Sequence, residues 1–119
     1  MITGIILGAF GAHGLEDKVT PEKIASYEVG VRYQIISALG LLALAALKPV
    51  FNFSLKSTFV CMLLGVVLFS GSIYGLTFQE KGSSIAKILG PITPIGGLLI
   101  IISWTMVLLK FIRTAKTSN

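Results

Sequence analysis

The stretch STFVCMLLGVVLFSGSIYGLTF, residues 57–78, decides the fold. It runs for 22 residues without one Asp, Glu, Lys or Arg. A helix of that length rises about 33 Å, enough to cross the ~30 Å hydrocarbon core of a bilayer. Three other stretches share the property: residues 2–12, 33–47 and 88–109. All 10 Lys and Arg residues and all 5 Asp and Glu residues lie outside these four stretches. Charge at the centre of a bilayer is costly, so this placement is what a membrane imposes. The expected fold is all-α: a polytopic four-helix transmembrane bundle with a short first helix, forming a single domain over residues 1–119. The expected helices cover about 2–15, 21–47, 57–78 and 90–110.

Composition agrees. The chain is 54% hydrophobic and 13% charged, against roughly 25% charged in soluble domains. The net charge of +5 is not a nucleic-acid signal, because no basic run interleaves with aromatics. The cations sit at the ends of apolar spans, where they suit anionic headgroups. The expected partners are the lipid bilayer and either further copies of the chain or other membrane subunits, with no nucleic acid. The expected location is a bacterial plasma membrane or a mitochondrial inner membrane. Cys61 is the single cysteine, so neither an intramolecular disulfide nor a cysteine zinc site is expected. No basic region precedes residues 2–12, so no cleavable signal peptide is expected. Residues 114–119 read as a short polar tail.

The first apolar stretch is eleven residues long and would rise only about 16 Å. Gly4, Gly8 and Gly11 crowd it, and Gly4 with Gly8 makes a GxxxG pair that lets another helix approach closely in lipid. Thr20-Pro21-Glu22 is a helix start, with Thr20 at the cap and Pro21 where its missing N–H is harmless. No breaker follows until Lys48-Pro49, so one long second helix is expected, with Ile24, Tyr27, Val31 and Ile35 on one face. In the third span, Thr58, Cys61, Gly65, Leu68, Ser72 and Gly75 make a stripe of mostly small residues suited to packing. The fourth span opens LGPITPIGG. Pro91 and Pro94 fit the first turn of a helix, where N–H groups have no internal partner, so a start near Pro91 is expected. Gly96 and Gly97 then offer a small face, and Lys110 ends the span. With four crossings, Lys and Arg divide five to each side, so positive charge does not orient the chain. The expectation is that both termini face the cytoplasm or matrix.

The candidate polar cluster is His13, Tyr33, Gln34 and Ser37. His13 is the only histidine, with no cysteine or span carboxylate beside it, so no metal site is expected. Its expected role is a hydrogen bond that fastens the end of the first helix to a neighbour. Gln34 and Ser37, three residues apart, either bond between helices or line a polar pocket. Ser70, Ser72 and Tyr74 add hydroxyls to the third span, but no base accompanies them. No P-loop, dinucleotide fingerprint or zinc signature occurs. No catalytic residue, no metal ligand and no cofactor is expected, and the chain reads as a non-enzyme. The residues expected in helix packing are Gly4, Gly8, Gly11, Gly65, Ser72, Gly75, Gly96 and Gly97.

Four segments in order carry a resemblance: GAFGAHGL (8–15), VRYQ (31–34), FSGSIY (69–74) and LGPITPIGG (89–97) with Trp104. Over nearly its whole length the chain resembles the domain-of-unknown-function 423 family, which includes small bacterial inner-membrane proteins and the eukaryotic transmembrane protein 256 group. The resemblance implies a four-helix integral membrane protein and implies no chemistry. Members usually carry a histidine a few residues after the Tyr-Gln pair, where this chain has Ser37. They also usually have a first helix longer by about two turns or more.

The function these readings favour is a structural or assembly subunit, packing in a homo-oligomer or a larger membrane complex. The alternative is a small transporter or channel for a neutral solute or lipid. The spans lack the embedded glutamate of small multidrug exporters and the motif of fluoride channels, and an ion-coupled mechanism has no carboxylate to work with.

Overall fold

The computed structural model describes residues 1–117. Helix α1 spans Ile2–Gly14, α2 Pro21–Leu47, α3 Lys56–Thr77 and α4 Ser84–Thr117. A single 3-10 turn, Lys48–Val50, follows α2. Among the described residues, three helices are long and apolar enough to cross a membrane: α3, α4 and α2 with its 3-10 turn; α1 is shorter. The molecule is 58 Å long, so α2 and α4 extend beyond a ~30 Å hydrocarbon layer.

Helices pack in chain order, α1 on α2, α2 on α3 and, most extensively, α3 on α4. Helix α1 runs antiparallel to α2 and covers only part of it. Gly4 faces Ile35 and Gln34, Gly8 faces Val31, and Gly11 faces the Tyr27 ring. With 13 residues, α1 rises about 20 Å and leaves the later half of α2 uncovered. The apolar face of α2 builds the first core, in which Tyr27 and Val31 join Leu15, with Ile24, Ile35, Leu7 and Tyr74 around them. A second core lies at the opposite end, where Leu44, Leu55 and Val107 are packed by Phe51, Phe53 and Phe59.

The small-residue stripe of α3 faces α4. A Cβ on Gly65 would lie 3.0 Å from the Gly96 carbonyl oxygen, and one on Gly75 would meet Leu89 at 2.6 Å. Cys61 donates to the Leu99 carbonyl at 3.4 Å. Helix α4 also reaches α2 at Gly40, whose missing side chain makes room for the Trp104 ring.

Two expectations about α4 need correction. The helix does not begin near Pro91; it begins at Ser84, and both prolines lie inside it. Ser83 supplies an earlier start, its hydroxyl accepting from the Ala86 N–H at 3.1 Å. That is the bond of an N-cap residue to the third helical position. Proline within a membrane helix is tolerated where neighbours take up the freed backbone groups. The helix also does not stop at Lys110. Phe111 and Ile112 extend its apolar side, and Thr114 returns its hydroxyl to the Lys110 carbonyl at 3.0 Å. Of the expected polar tail, residues 114–117 are therefore helical, and Ser118 and Asn119 lie outside the described residues.

Candidate functional site

The densest polar arrangement within the spans joins α1, α2 and α3. Gln34 sits at its centre. Its Nε2 donates to Thr3 Oγ1 on α1 at 2.8 Å, and its Oε1 accepts from the Tyr74 hydroxyl on α3 at 2.6 Å. The Tyr74 ring lies against Tyr27, centroids 4.9 Å apart, and the Tyr27 hydroxyl donates to the Leu7 carbonyl on α1 at 2.9 Å. One turn along α3, Ser70 donates to the Gly30 carbonyl of α2 at 2.7 Å.

Glycines set this geometry. A Cβ on Gly11 would stand 2.7 Å from Cε1 of Tyr27, so only glycine lets the ring edge press against α1 while the hydroxyl reaches Leu7. Gly30 lets α3 approach close enough for Ser70 to bond its carbonyl, with Tyr74 and Ile73 beside it.

The same construction recurs between α3 and α4. The hydroxyls of Ser72 and Thr93 are 2.7 Å apart, and Ser103 donates to the Thr58 carbonyl at 2.9 Å. Of the residues named for helix packing, Gly4, Gly8 and Gly11 lie against α2, Gly65, Ser72 and Gly75 against α4, and Gly96 and Gly97 against Phe69 of α3.

The expected cluster of four does not assemble. Gln34 is the hub just described. Ser37 lies one turn further along α2, 2% exposed, at the floor of a groove of about 570 Å³ between α2 and α3. Tyr33 is exposed, its ring edge-on to Phe69 with centroids 5.1 Å apart, and with Ser37 it lines a separate groove toward α4. His13 stands apart, exposed at the other end of α1. It is ten residues from Thr3, about 15 Å along the helix. It makes no side-chain hydrogen bond among the described residues, so the expected fastening bond is absent; Gly11, Leu15 and Tyr27 hold that end of α1 instead.

Sequence reading missed Thr3 and the polar role of Tyr27. The signal for Thr3 was available: a glutamine within a span needs partners for both ends of its amide, and Thr3 is the hydroxyl on the short helix. Tyr27 was hidden by its place on an apolar face. A tyrosine buries its ring there while its hydroxyl finds a carbonyl.

Chemically the arrangement is neutral. It holds one amide, hydroxyls and backbone carbonyls, paired across helices. No group of three or more His, Cys, Asp or Glu able to hold a metal occurs among the described residues.

The four segments behind the family resemblance prove to be one contact system. GAFGAHGL brings Gly8 and Gly11 to Val31 and Tyr27; VRYQ brings Gln34 to Tyr74; FSGSIY brings Ser72 to Thr93 in LGPITPIGG. Comparison with known proteins agrees. The profile of a family described as "Protein of unknown function (DUF423)" matches residues 7–97. A UPF0382 membrane protein of Schizosaccharomyces pombe is 40% identical over 111 residues, covering 90% of this chain and 92% of that protein. One of Bacillus subtilis is 40% identical over 109 residues, covering 90% of this chain and 85% of that protein. One of Staphylococcus epidermidis is 37% identical over 108 residues, covering 91% and 84%. No solved structure matches significantly.

Proposed function

The chain belongs to the DUF423 family of membrane proteins, and from that premise we propose that it is a structural or assembly subunit, packing with its own copies or within a larger complex of a bacterial plasma membrane or mitochondrial inner membrane. One observation carries the reading. The interhelical polar side chains, Thr3, Gln34, Ser70, Ser72, Tyr74 and Ser103, are used in joining one helix to another. Polar residues used this way hold membrane helices at fixed distances. They supply no activated nucleophile and no titrating relay, so the reading contains no catalytic step.

The outer surface supports the same reading. Gly71 lies exposed on α3 with open space where a side chain would stand. Small residues on an outer helix face let a neighbouring membrane helix approach closely. Extraction in a mild detergent followed by native mass spectrometry tests the proposal. The expected result is an oligomer or a co-purifying membrane subunit; monomer alone, at every protein concentration and in several mild detergents, overturns it.

A second reading, a conduit for a neutral solute or lipid, draws on Ser37. It lines the groove between α2 and α3 and another toward α4, and it makes no side-chain hydrogen bond among the described residues. Flux of small neutral solutes or of labelled lipid through reconstituted vesicles would favour it over assembly.

A further inference from the structure

Charge divides the molecule end from end. Glu16, Asp17, Glu22, Glu28 and Glu80 lie at the end where the α1–α2 connection, the start of α2 and the α3–α4 connection meet. Lys23 on α2 reaches the Gln79 carbonyl there at 2.6 Å. The opposite end, built from the segment between α2 and α3 and the last turns of α4, carries among the described residues the cations Lys48, Lys56, Lys110, Arg113 and Lys116 and no Asp or Glu.

At that cationic end a groove of about 590 Å³ opens between α2 and α3, with Lys48, Lys56 and Ser54 at its mouth and Ala45, Phe59 and Val60 along its wall. It continues through Ala45 and Phe59 into the groove of about 570 Å³, whose deep part is lined by Ser37 and Gln34 and, from α1, by Met1 and Thr3. Each volume is within the roughly 300–1,000 Å³ of small-molecule pockets. From Lys48 to Ser37 is eleven helical residues, about 16 Å. That is close to half of a ~30 Å hydrocarbon core, the depth of one leaflet. The groove exists because α1 covers only the first part of α2.

The mouth is firmly placed. Leu55 is 2% exposed in the second core, and Phe51 stacks on Phe53 with centroids 5.1 Å apart. Lys110 is already engaged, donating to the Ser54 carbonyl at 2.5 Å. Lys48 and Lys56 make no side-chain hydrogen bond among the described residues, and both are exposed.

We propose that this groove binds an anionic phospholipid, its phosphate between Lys48 and Lys56 and one acyl chain lying between α2 and α3 toward Ser37. The chemistry matches part by part. Two free ammonium groups at the level of the headgroups attract an anion. Among the described residues, no Asp or Glu at that end competes. Below the mouth, Ala45, Phe59, Leu42, Leu41, Leu63 and Ala38 give an apolar wall before the polar residues of the deep part. The lipid binds as a resident of the bilayer, and the site stands whether or not the protein assembles with others.

Native mass spectrometry of the delipidated protein in detergent, titrated with phosphatidylglycerol or phosphatidylcholine, tests the site. Wild type is expected to prefer phosphatidylglycerol. Each of Lys48→Gln and Lys56→Gln should weaken phosphatidylglycerol by about fivefold, and the pair by about thirtyfold, on the scale of one lysine near a headgroup. Lys87→Gln, at the opposite end, should change nothing. Ala45→Trp fills the groove while keeping both lysines in the chain and should weaken both lipids. Equal affinity of wild type for the two lipids, or unchanged phosphatidylglycerol binding in either the double lysine variant or Ala45→Trp, overturns the proposal.

Discussion

Gly96 lies directly against the backbone of Phe69: a Cβ placed on it would overlap the Phe69 nitrogen and stand 2.8 Å from the Gly65 carbonyl oxygen. Helices α3 and α4 therefore touch backbone to backbone, with no side chain at the crossing able to move aside. Gly96→Ala is expected to destabilise the protein by about 1–3 kcal/mol, the usual cost of overpacking. Gly71→Ala, where nothing lies within 4 Å, should change stability by less than about 0.5 kcal/mol. Reversible unfolding in mixed detergent micelles measures both, and equal effects would refute the backbone contact.

Gln34 and Tyr74 should behave as a coupled pair. Tyr74→Phe removes the donor at 2.6 Å, and the expected loss is about 0.6 kcal/mol and no more than about 1.7, the range of interhelical bonds measured in membranes. Gln34→Leu should be costlier, since it also leaves the Thr3 hydroxyl without its partner. A double-mutant cycle should show coupling near the single-bond value; additivity would mean that the bond does not form.

Gly11→Ala should force the Tyr27 ring off α1, because the new Cβ would meet two ring carbons at 2.7 and 2.8 Å. The expected cost is about 1–3 kcal/mol. Tyr27→Leu in the same chain should recover part of it by removing the ring. Independent, additive losses would show that Gly11 and Tyr27 do not share the contact.

His13→Gln should leave stability within about 0.5 kcal/mol of wild type, as for an exposed side chain with no bond to lose. By contrast, Ser70→Ala removes a buried 2.7 Å bond from α3 to the Gly30 carbonyl and should lower stability by about 0.6 kcal/mol or more. A larger loss from His13→Gln than from Ser70→Ala would restore the fastening role to the histidine.

Assembly has its own variant. Gly71→Leu places a bulky side chain on an exposed part of α3 that touches nothing within the monomer. Monomer stability should hold while any complex using that face dissociates, read as a shift to monomer in native mass spectrometry.

Much of the fold was legible because the bilayer reads sequence one residue at a time. A charge within a span is costly wherever its neighbours lie, so uncharged runs mark helices before any contact is known. The stripe on α3 was legible for a related reason: small residues recurring at steps of three and four lie on one face whatever that face meets. The beginning of α4 was less legible, because two prolines resemble a start more strongly than one capping serine eight residues before the first of them. The polar cluster was half legible. Gln34 announced a need for partners, but Thr3 and Tyr74, which meet it, are 31 and 40 residues distant in the chain.

The order of residues places this chain in a membrane, leaves its interior free of charged side chains and marks which residues are small enough to let helices touch. Those are properties of single residues and helical periodicity. Tertiary structure alone decided that Gly11 serves Tyr27, that Gly96 serves Phe69, that His13 stands outside the polar network, and that a short α1 leaves a lysine-edged groove along α2. These depend on which helix lies beside which and at what height, and many pairings of small faces satisfy the same pattern until the helices meet.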